Sequence, residues 1–146
     1  MSAILLDTNV LSELMKTSPN AAVLRWFASQ QDAVFFLSAI THAEILLGVA
    51  CLPEGKRRTQ LATAAAEMLN QEFAERSWAF DDACAADYSL IVASLRRKGI
   101  AISTEDAQIA AIARVHAAPL ASRNFKDFAG IEGLVVLFRG FAAKTP

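Results

Sequence analysis

Acidic and amide side chains recur at the ends of short apolar segments in this sequence. Asp7 directly follows one apolar run, and Asn124 and Asp127 follow another. Glu44 and Asp106 come early in two segments that have helical spacing. Two carboxylates about 5 Å apart repel by roughly 3 kcal/mol at an effective dielectric constant of about 20. If these groups converge, either their pKa values rise or a divalent cation lies among them.

The chemistry of these side chains indicates which cation would suit them. Hard oxygen ligands without His or Cys select Mg²⁺ or Mn²⁺ over Zn²⁺. A cation held in this way turns water into a nucleophile and neutralises charge on a phosphoryl group, often with a second ion about 3.5–4 Å away. The pattern therefore indicates a metal site suited to hydrolysis at phosphorus.

Each of these polar residues also has a structural explanation. Asp7 and Asn124 suit the caps of short helices that would follow them. Residues 41–44 match the capping box S/T-x-x-E, and Ser103 and Asp106 repeat the same spacing. Taken one by one, these explanations suffice, but a common position at one sheet edge favours a site.

The elements that must position these side chains alternate between short apolar strands and amphipathic helices. Strands are predicted over residues 3–6, 34–37, 78–80, 119–121 and 134–138, each continuously apolar, as in a parallel sheet buried on both faces. Helical spacing predicts helices over residues 20–29, 41–52, 53–73, 82–97 and 105–116. This order predicts an α/β fold, a three-layer α/β/α sandwich with a short, mostly parallel sheet. Ligands of such sheets bind at the carboxyl ends of the strands, where the polar residues would gather.

Length and composition predict one domain over residues 1–146. Hydrophobic residues make up 54% of the chain and 29 residues are alanine, which excludes a disordered chain and favours helices. Cys51 and Cys84 are too far apart for a zinc or redox motif, so we expect both to be reduced and buried.

Charge and hydropathy limit the partners and the location of the protein. The net charge of −1 does not indicate a basic nucleic-acid-binding protein, so an RNA partner would need local basic patches or a bound cation. The longest apolar runs, such as residues 45–52, reach eight residues, whereas a membrane span needs about 20. The first residues have no basic segment and do not match a signal peptide. We therefore expect a cytoplasmic protein without membrane contact.

Four segments resemble the motifs of PIN-domain ribonucleases, in the same order along the chain. Residues 4–13 (ILLDTNVLSE) resemble the opening strand of that family, and residues 37–48 (LSAITHAEILLG) its motif S-x-x-T-x-x-E-x-x-x-G. Residues 106–113 (DAQIAAIA) are similar to its D-x-x-I-A-A-x-A helix, and residues 121–128 (ASRNFKDF) to its T-R-N-x-x-D-F segment. The resemblance is greatest to VapC-type toxins of bacterial toxin–antitoxin pairs, in particular the FitB-like branch.

The resemblance implies an Mg²⁺- or Mn²⁺-dependent endoribonuclease that acts as a toxin. It implies that Asp7, Glu44 and Asp106 hold the metal, and that a metal-activated water hydrolyses an RNA phosphodiester bond. The fourth acidic position of the family is Asn124 in this sequence. This departure leaves open whether Asn124 or Asp127 completes the site, and whether one or two ions bind.

The resemblance also assigns supporting residues and partners. It implies that Asn9 and Ser38 support the carboxylates through hydrogen bonds, and Ser122 stands where relatives often have Thr. Arg123 lies next to the predicted site and is a candidate contact for RNA phosphate. The implied partners are an RNA substrate, a small antitoxin with a cationic segment, and a second copy of the toxin in a homodimer.

Two alternatives remain at this point. A haloacid-dehalogenase-like phosphatase would use Asp7 as its nucleophile, but Asn9 occupies the position of its second acid and no cap domain is present. A non-catalytic binding module with the PIN fold is the other alternative, since Asn124 replaces an acid. A covalent aspartyl-phosphate would favour the first, and loss of metal binding the second.

Overall fold

The computed structural model describes residues 2–137 of the chain. Five strands form one parallel sheet in the order β3-β2-β1-β4-β5: β1 (Ser2–Leu6), β2 (Ala33–Ser38), β3 (Ser77–Trp78), β4 (Leu120–Ala121) and β5 (Val136–Leu137). The predicted parallel sheet is confirmed, and every pairing within it is parallel. Phe138, the predicted end of the fifth strand, lies outside the described residues.

Helices cover both faces of this sheet. They are α1 (Thr8–Leu14), α2 (Ala21–Ser29), α3 (Ala39–Ala50), α4 (Lys56–Glu67), α5 (Asp82–Arg97), α6 (Thr104–Val115) and α7 (Phe125–Phe128), with a π-helical turn at Met68–Glu72. None of the helices within residues 2–137 is long and apolar enough to span a membrane.

The central strand β1 supplies side chains to two separate cores. Ile4 and Leu6 pack in a core with residues of α1, α3 and α4 on one face. Leu5 packs on the other face with residues of α5, α6 and α7. Because successive side chains of a strand point to opposite faces, a continuously apolar strand can fill both cores. This confirms the predicted three-layer α/β/α arrangement.

The most buried helix, α6, has alanines on its buried positions. Ala107, Ala110, Ala111 and Ala113 are fully buried there, together with two isoleucines. Short side chains let a helix lie close to a sheet and to a neighbouring helix without leaving voids. As a result α6 lies in the core and presents its N-terminus, including Asp106, at the carboxyl edge of the sheet.

The start of α3 differs from the prediction. The helix begins at Ala39, two residues earlier than expected, because the Ser38 Oγ accepts a hydrogen bond of 3.0 Å from the backbone N–H of Thr41. Glu44 therefore lies in the second turn, and the capping box predicted over residues 41–44 does not form. The Glu44 carboxylate instead contacts the Thr8 hydroxyl on another helix.

The segment predicted as one helix over residues 53–73 is divided. The helix α4 begins at Lys56, after Gly55, whose φ of +150° is one that other residues rarely adopt. Pro53 therefore lies before the helix and not in its first turn. At the other end the chain continues as the π-helical turn.

Two smaller predictions were also wrong. The third strand ends at Trp78 and does not reach residue 80, since Asp81 already caps α5 by accepting a hydrogen bond from the backbone N–H of Cys84. Cys84 is buried as expected, but Cys51 is exposed, because it lies at the C-terminal cap of α3 on the protein surface.

Candidate functional site

The candidate site is a cavity of about 420 Å³ at the carboxyl edge of the sheet. It lies beside β1, where the strand order reverses, since β2 pairs with one side of β1 and β4 with the other. Ligand sites of open parallel sheets form at such a reversal. Asp7 at the end of β1, Glu44 on α3 and Asp106 on α6 all line the cavity. The structure thus brings together three acids that are distant in sequence.

Asp7 is the most constrained of these acids. Its backbone N–H donates to the carbonyl oxygen of Ala121 on the neighbouring strand, at 2.8 Å. One carboxylate oxygen accepts from the backbone N–H of Thr8 at 2.8 Å, and the other from the Ser122 hydroxyl at 2.7 Å. The residue is only 4% exposed. Asp7 therefore caps α1 and lines the cavity at the same time.

The surroundings of Asp7 disfavour its charged form. The pKa of Asp7 is raised from 3.8 to about 6: burial is the largest cause and the negative charges of Asp106 and Glu44 add to it, against the hydrogen bonds from Ser122 and Thr8. A carboxylate in this condition gains stability from any cation that reaches it.

Asp106 has a raised pKa for similar reasons. Burial is the largest cause, and the negative charges of Asp127, Glu44 and Glu105 add to it, while a hydrogen bond from Ser103 opposes it. Asp127 is exposed and is not part of the cavity wall, yet its charge acts on Asp106. The acids thus form an electrostatically coupled group.

Glu44 is the end point of a chain of hydroxyl groups. The Thr8 hydroxyl donates to a Glu44 carboxylate oxygen at 2.5 Å and lies 2.8 Å from the Thr41 hydroxyl. Because a hydroxyl has one proton, Thr41 must then donate to Thr8, and Ser38 donates to Thr41 at 3.3 Å. Ser38 thus reaches Glu44 through two threonines. Sequence reasoning missed Thr8, although it directly follows Asp7.

Asn9 and Ser122 organise the loop that follows β4. The Asn9 side-chain oxygen accepts from the backbone N–H of Arg123 at 3.1 Å, and its amide nitrogen lies 3.5 Å from the Ser122 hydroxyl. That hydroxyl also accepts from the backbone N–H of Asn124, at 3.0 Å. Asn9 therefore acts on the loop, whereas Ser122 contacts Asp7 directly. Asn124 is exposed and lines the cavity.

Glu13 is a second residue that sequence reasoning missed. It lies on α1, is 4% exposed, and accepts hydrogen bonds from Arg123 at 2.7 Å, Lys16 at 2.9 Å and the backbone N–H of Asn20 at 2.8 Å. The bonds from Lys16 and Asn20 hold the pKa of Glu13 below its usual range. An available signal was its position three residues after Val10, on a buried face of the helix.

The comparison with protein families decides the fold family. The model of the PIN domain matches residues 4–134. The chain belongs to the PIN-domain family. A plasmid stability protein, StbB of Pseudomonas syringae pv. tomato, is 42% identical to this PIN domain over 125 residues, which are 86% of this chain and 90% of StbB.

The chain is also similar to a protein named as a ribonuclease and to a chain in a solved toxin–antitoxin complex. The VapC ribonuclease Y4jK of Sinorhizobium fredii is 38% identical over 86% of this chain and 89% of its own length. The solved structure of FitAB bound to an IR36 DNA fragment contains a chain that is 38% identical and superposes with a TM-score of 0.82, covering 92% of this chain and 93% of that one. The structural neighbours are VapBC and FitAB toxin–antitoxin complexes.

The donor set of the PIN domain is compatible with a hard cation. Within residues 2–137, no three His, Cys, Asp or Glu side chains lie close enough together to hold a metal ion by themselves. Mg²⁺ in proteins usually binds through one or two carboxylates and keeps several waters, so it does not require such a cage. Oxygen-only donors in one cavity, where burial and then the neighbouring negative charges raise the pKa of Asp7, fit an ion of this kind.

Ser122→Ala is expected to destabilise the PIN domain in a pH-dependent way. The change removes the buried hydroxyl that stabilises ionised Asp7, so the pKa of Asp7 rises above about 6. The free energy of unfolding should fall by about 1–2 kcal/mol at pH 8 and by less at pH 5, where Asp7 is largely protonated. Urea unfolding in EDTA at both pH values measures this. An equal loss at both would show that Ser122 does not act through the Asp7 charge.

Proposed function

We propose that this chain is the toxin of a toxin–antitoxin pair and an Mg²⁺- or Mn²⁺-dependent endoribonuclease that hydrolyses RNA phosphodiester bonds. The observation that carries this is the convergence of Asp7, Glu44 and Asp106 on one cavity. Its similarity to a protein named VapC ribonuclease supports the reaction class.

In this proposal Asp7 and Asp106 would hold the metal, with Glu44 acting directly or through a bound water, since Mg²⁺ needs only one or two carboxylates. When bound, Mg²⁺ supplies a polarised water as nucleophile and neutralises charge on the scissile phosphate. Ser122 and the backbone N–H of Thr8 keep the Asp7 carboxylate in one orientation, and the Thr8 hydroxyl does the same for Glu44. These hydrogen bonds reduce the reorganisation of the carboxylates that metal binding would otherwise require.

RNA would approach a cavity that is acidic until a cation binds. Bound Mg²⁺ reverses the local sign that a phosphate meets, so a net charge of −1 is compatible with an RNA substrate. Arg123 lines the same cavity and supplies guanidinium N–H groups for a phosphate. Asn124 and Asp127 are the candidates for completing the site on the same side.

The partner proposed for this chain is a small antitoxin. Its cationic segment would neutralise the acidic cavity in place of the metal, which explains inhibition without a separate site. The similarity to a chain in the FitAB structure supports such a partner, and we expect the toxin itself to form a homodimer.

The alternatives are weaker. A phosphatase of the haloacid-dehalogenase type has its second acid at the position of Asn9. Asn9 instead accepts a hydrogen bond from the backbone N–H of Arg123. The match to the PIN-domain model over residues 4–134 also favours the nuclease. The cleavage assay described in the next paragraph distinguishes a nuclease from a non-catalytic binding module with the PIN fold.

Removal of divalent metal tests the proposed function. We expect EDTA to stop cleavage of cellular RNA by the purified chain and added Mg²⁺ to restore it, because the carboxylates would otherwise repel the phosphate. The circular dichroism spectrum and the melting temperature should change little, since the two apolar cores do not depend on the site. Cleavage that persists in EDTA, or unfolding on chelation, would contradict the proposal.

A further inference from the structure

The wall of the carboxylate cavity contains two cations that share one buried acid. Arg123 and Lys16 line the cavity together with Asp7, Glu44 and Asp106. Both donate to the same oxygen of Glu13, Arg123 at 2.7 Å and Lys16 at 2.9 Å. Glu13 is thus the counter-ion of the only cationic side chains among the residues described as lining this cavity.

Glu13 is held in place from its other side. Its second oxygen accepts from the backbone N–H of Asn20 at 2.8 Å, at the start of α2. The Glu13 side chain is 5% exposed, whereas those of Arg123 and Lys16 are 36% and 61% exposed. Glu13 is therefore a buried acid that holds two cations, each of which is more exposed than Glu13 itself.

The position of Glu13 is important because the other acids that line the cavity compete for Arg123 and Lys16. A guanidinium that lines the same cavity as Asp7, Glu44 and Asp106 would be attracted to those carboxylates. Arg123 paired with them would no longer be available for a phosphate. Glu13 instead accepts hydrogen bonds from both cations and is itself held by the backbone N–H of Asn20.

We propose that Glu13 is a positioning residue that holds Arg123 and Lys16 at the cavity wall, where they contact the RNA backbone phosphate. This inference rests on the proposed function in one respect, since RNA is the ligand. Glu13 itself touches no substrate in this account and acts through the two cations.

A purely structural role for Glu13 makes a different prediction. If the residue only ties α1 to α2 through Asn20, a glutamine serves as well, because its side-chain oxygen still accepts that hydrogen bond. Its amide group, however, cannot serve as the counter-ion of Arg123 and Lys16. Glu13→Gln therefore separates the two roles.

The test measures RNA binding without cleavage. A fluorescein-labelled single-stranded RNA of mixed sequence is titrated in EDTA, and fluorescence anisotropy gives the dissociation constant at several salt concentrations. We expect Glu13→Gln to weaken binding about five- to ten-fold, which is the effect of losing one charge-assisted contact. The direction is informative, because removing a negative charge from a protein should by itself strengthen its binding to a polyanion.

The salt dependence and a double variant complete the test. Each lost phosphate contact should reduce the slope of log K against log salt by about 0.7 for single-stranded RNA. Arg123→Gln should weaken binding by part of the effect of Glu13→Gln, because Lys16 keeps its partner, and the double variant should lose less affinity than the two separate losses combined. Glu67→Gln is the matched control, since this exposed acid on α4 lies away from the cavity.

Unchanged or tighter RNA binding by folded Glu13→Gln would overturn the positioning role, as would full additivity with Arg123→Gln. If Glu13→Gln does not fold, Arg123→Gln and Lys16→Gln carry the test, because both leave the bond to Asn20 intact. Wild-type affinity and slope in both would then overturn it.

The same assay separates this inference from the proposed function. A wild-type chain that binds RNA in a salt-dependent way but does not cleave it with Mg²⁺ would refute the nuclease and leave the positioning role standing. A wild-type chain that binds no RNA in EDTA but cleaves it with Mg²⁺ would overturn the positioning role and leave the nuclease standing, and one that neither binds nor cleaves RNA would refute both.

Discussion

Asp7→Ala and Asp106→Ala should each abolish metal-dependent RNA cleavage, with a loss of at least about 100-fold in kcat/KM. Both carboxylates line the cavity, and both have raised pKa values that a bound cation would lower. Each substitution removes a proposed cation ligand and leaves the residues of the two apolar cores unchanged. The measurement is cleavage of end-labelled RNA at saturating Mg²⁺, with circular dichroism to confirm folding.

Asp32→Ala is the matched control for these variants. Asp32 is an exposed acid just before β2, where its carbonyl accepts from the backbone N–H of Ser2, at the opposite end of the sheet from the cavity. It should keep wild-type activity. Wild-type cleavage by pure Asp7→Ala or Asp106→Ala would refute the assignment of the site.

Asp7→Asn should stabilise the metal-free protein even though it removes activity. Burial raises the pKa of Asp7 from 3.8 to about 6, so above pH 6 the folded protein carries a buried charge that the unfolded chain solvates better. A shift of this size corresponds to about 2–3 kcal/mol. Asparagine keeps the acceptor for the backbone N–H of Thr8, and its amide can donate to the Ser122 hydroxyl. We expect a gain of about 1–3 kcal/mol in the free energy of unfolding at pH 8.

The pH dependence of this gain has a definite sign. Between pH 3.8 and 6 the folded state binds a proton at Asp7 that the unfolded state has lost, so the contribution of Asp7 to stability decreases as the pH rises. The advantage of Asp7→Asn should therefore grow from pH 4 to pH 7 and then level off. Urea unfolding in EDTA measures it, with Asp32→Asn as the control. A loss of stability at pH 8 would show that Asp7 contributes more to the fold than its desolvation costs.

These two predictions describe one property of the site. A buried acid with a raised pKa lowers stability when it is ionised and would gain from a bound cation, which is the usual exchange between stability and function. The structural and functional explanations of Asp7 are therefore compatible. One oxygen of its carboxylate caps α1, the other accepts from Ser122, and the residue lines the cavity.

Much of the fold was predictable because its signals are local. Continuous apolar strands, helical spacing and their alternation predict a parallel sheet covered on both faces, and strand ends in such a sheet share an edge. These signals were sufficient to predict that Asp7, Glu44 and Asp106 lie at the same edge of the sheet. Boundaries were less accurate, because the cap at Ser38 and the turn at Gly55 each shifted the start of a helix.

The network around the acids was not predictable in the same way. Ser122 and Asp7 are 115 positions apart, Arg123 and Glu13 are 110 apart, and Thr8 and Glu44 are 36 apart. A periodic pattern records which face a residue occupies, but it carries no information about a partner on another element. The sequence by itself determined the layers, the edge that gathers the acids and the oxygen-only chemistry. Only the tertiary structure decided which hydroxyls restrain those acids and which cations pair with Glu13, because strand order and side-chain packing bring distant residues within hydrogen-bond distance.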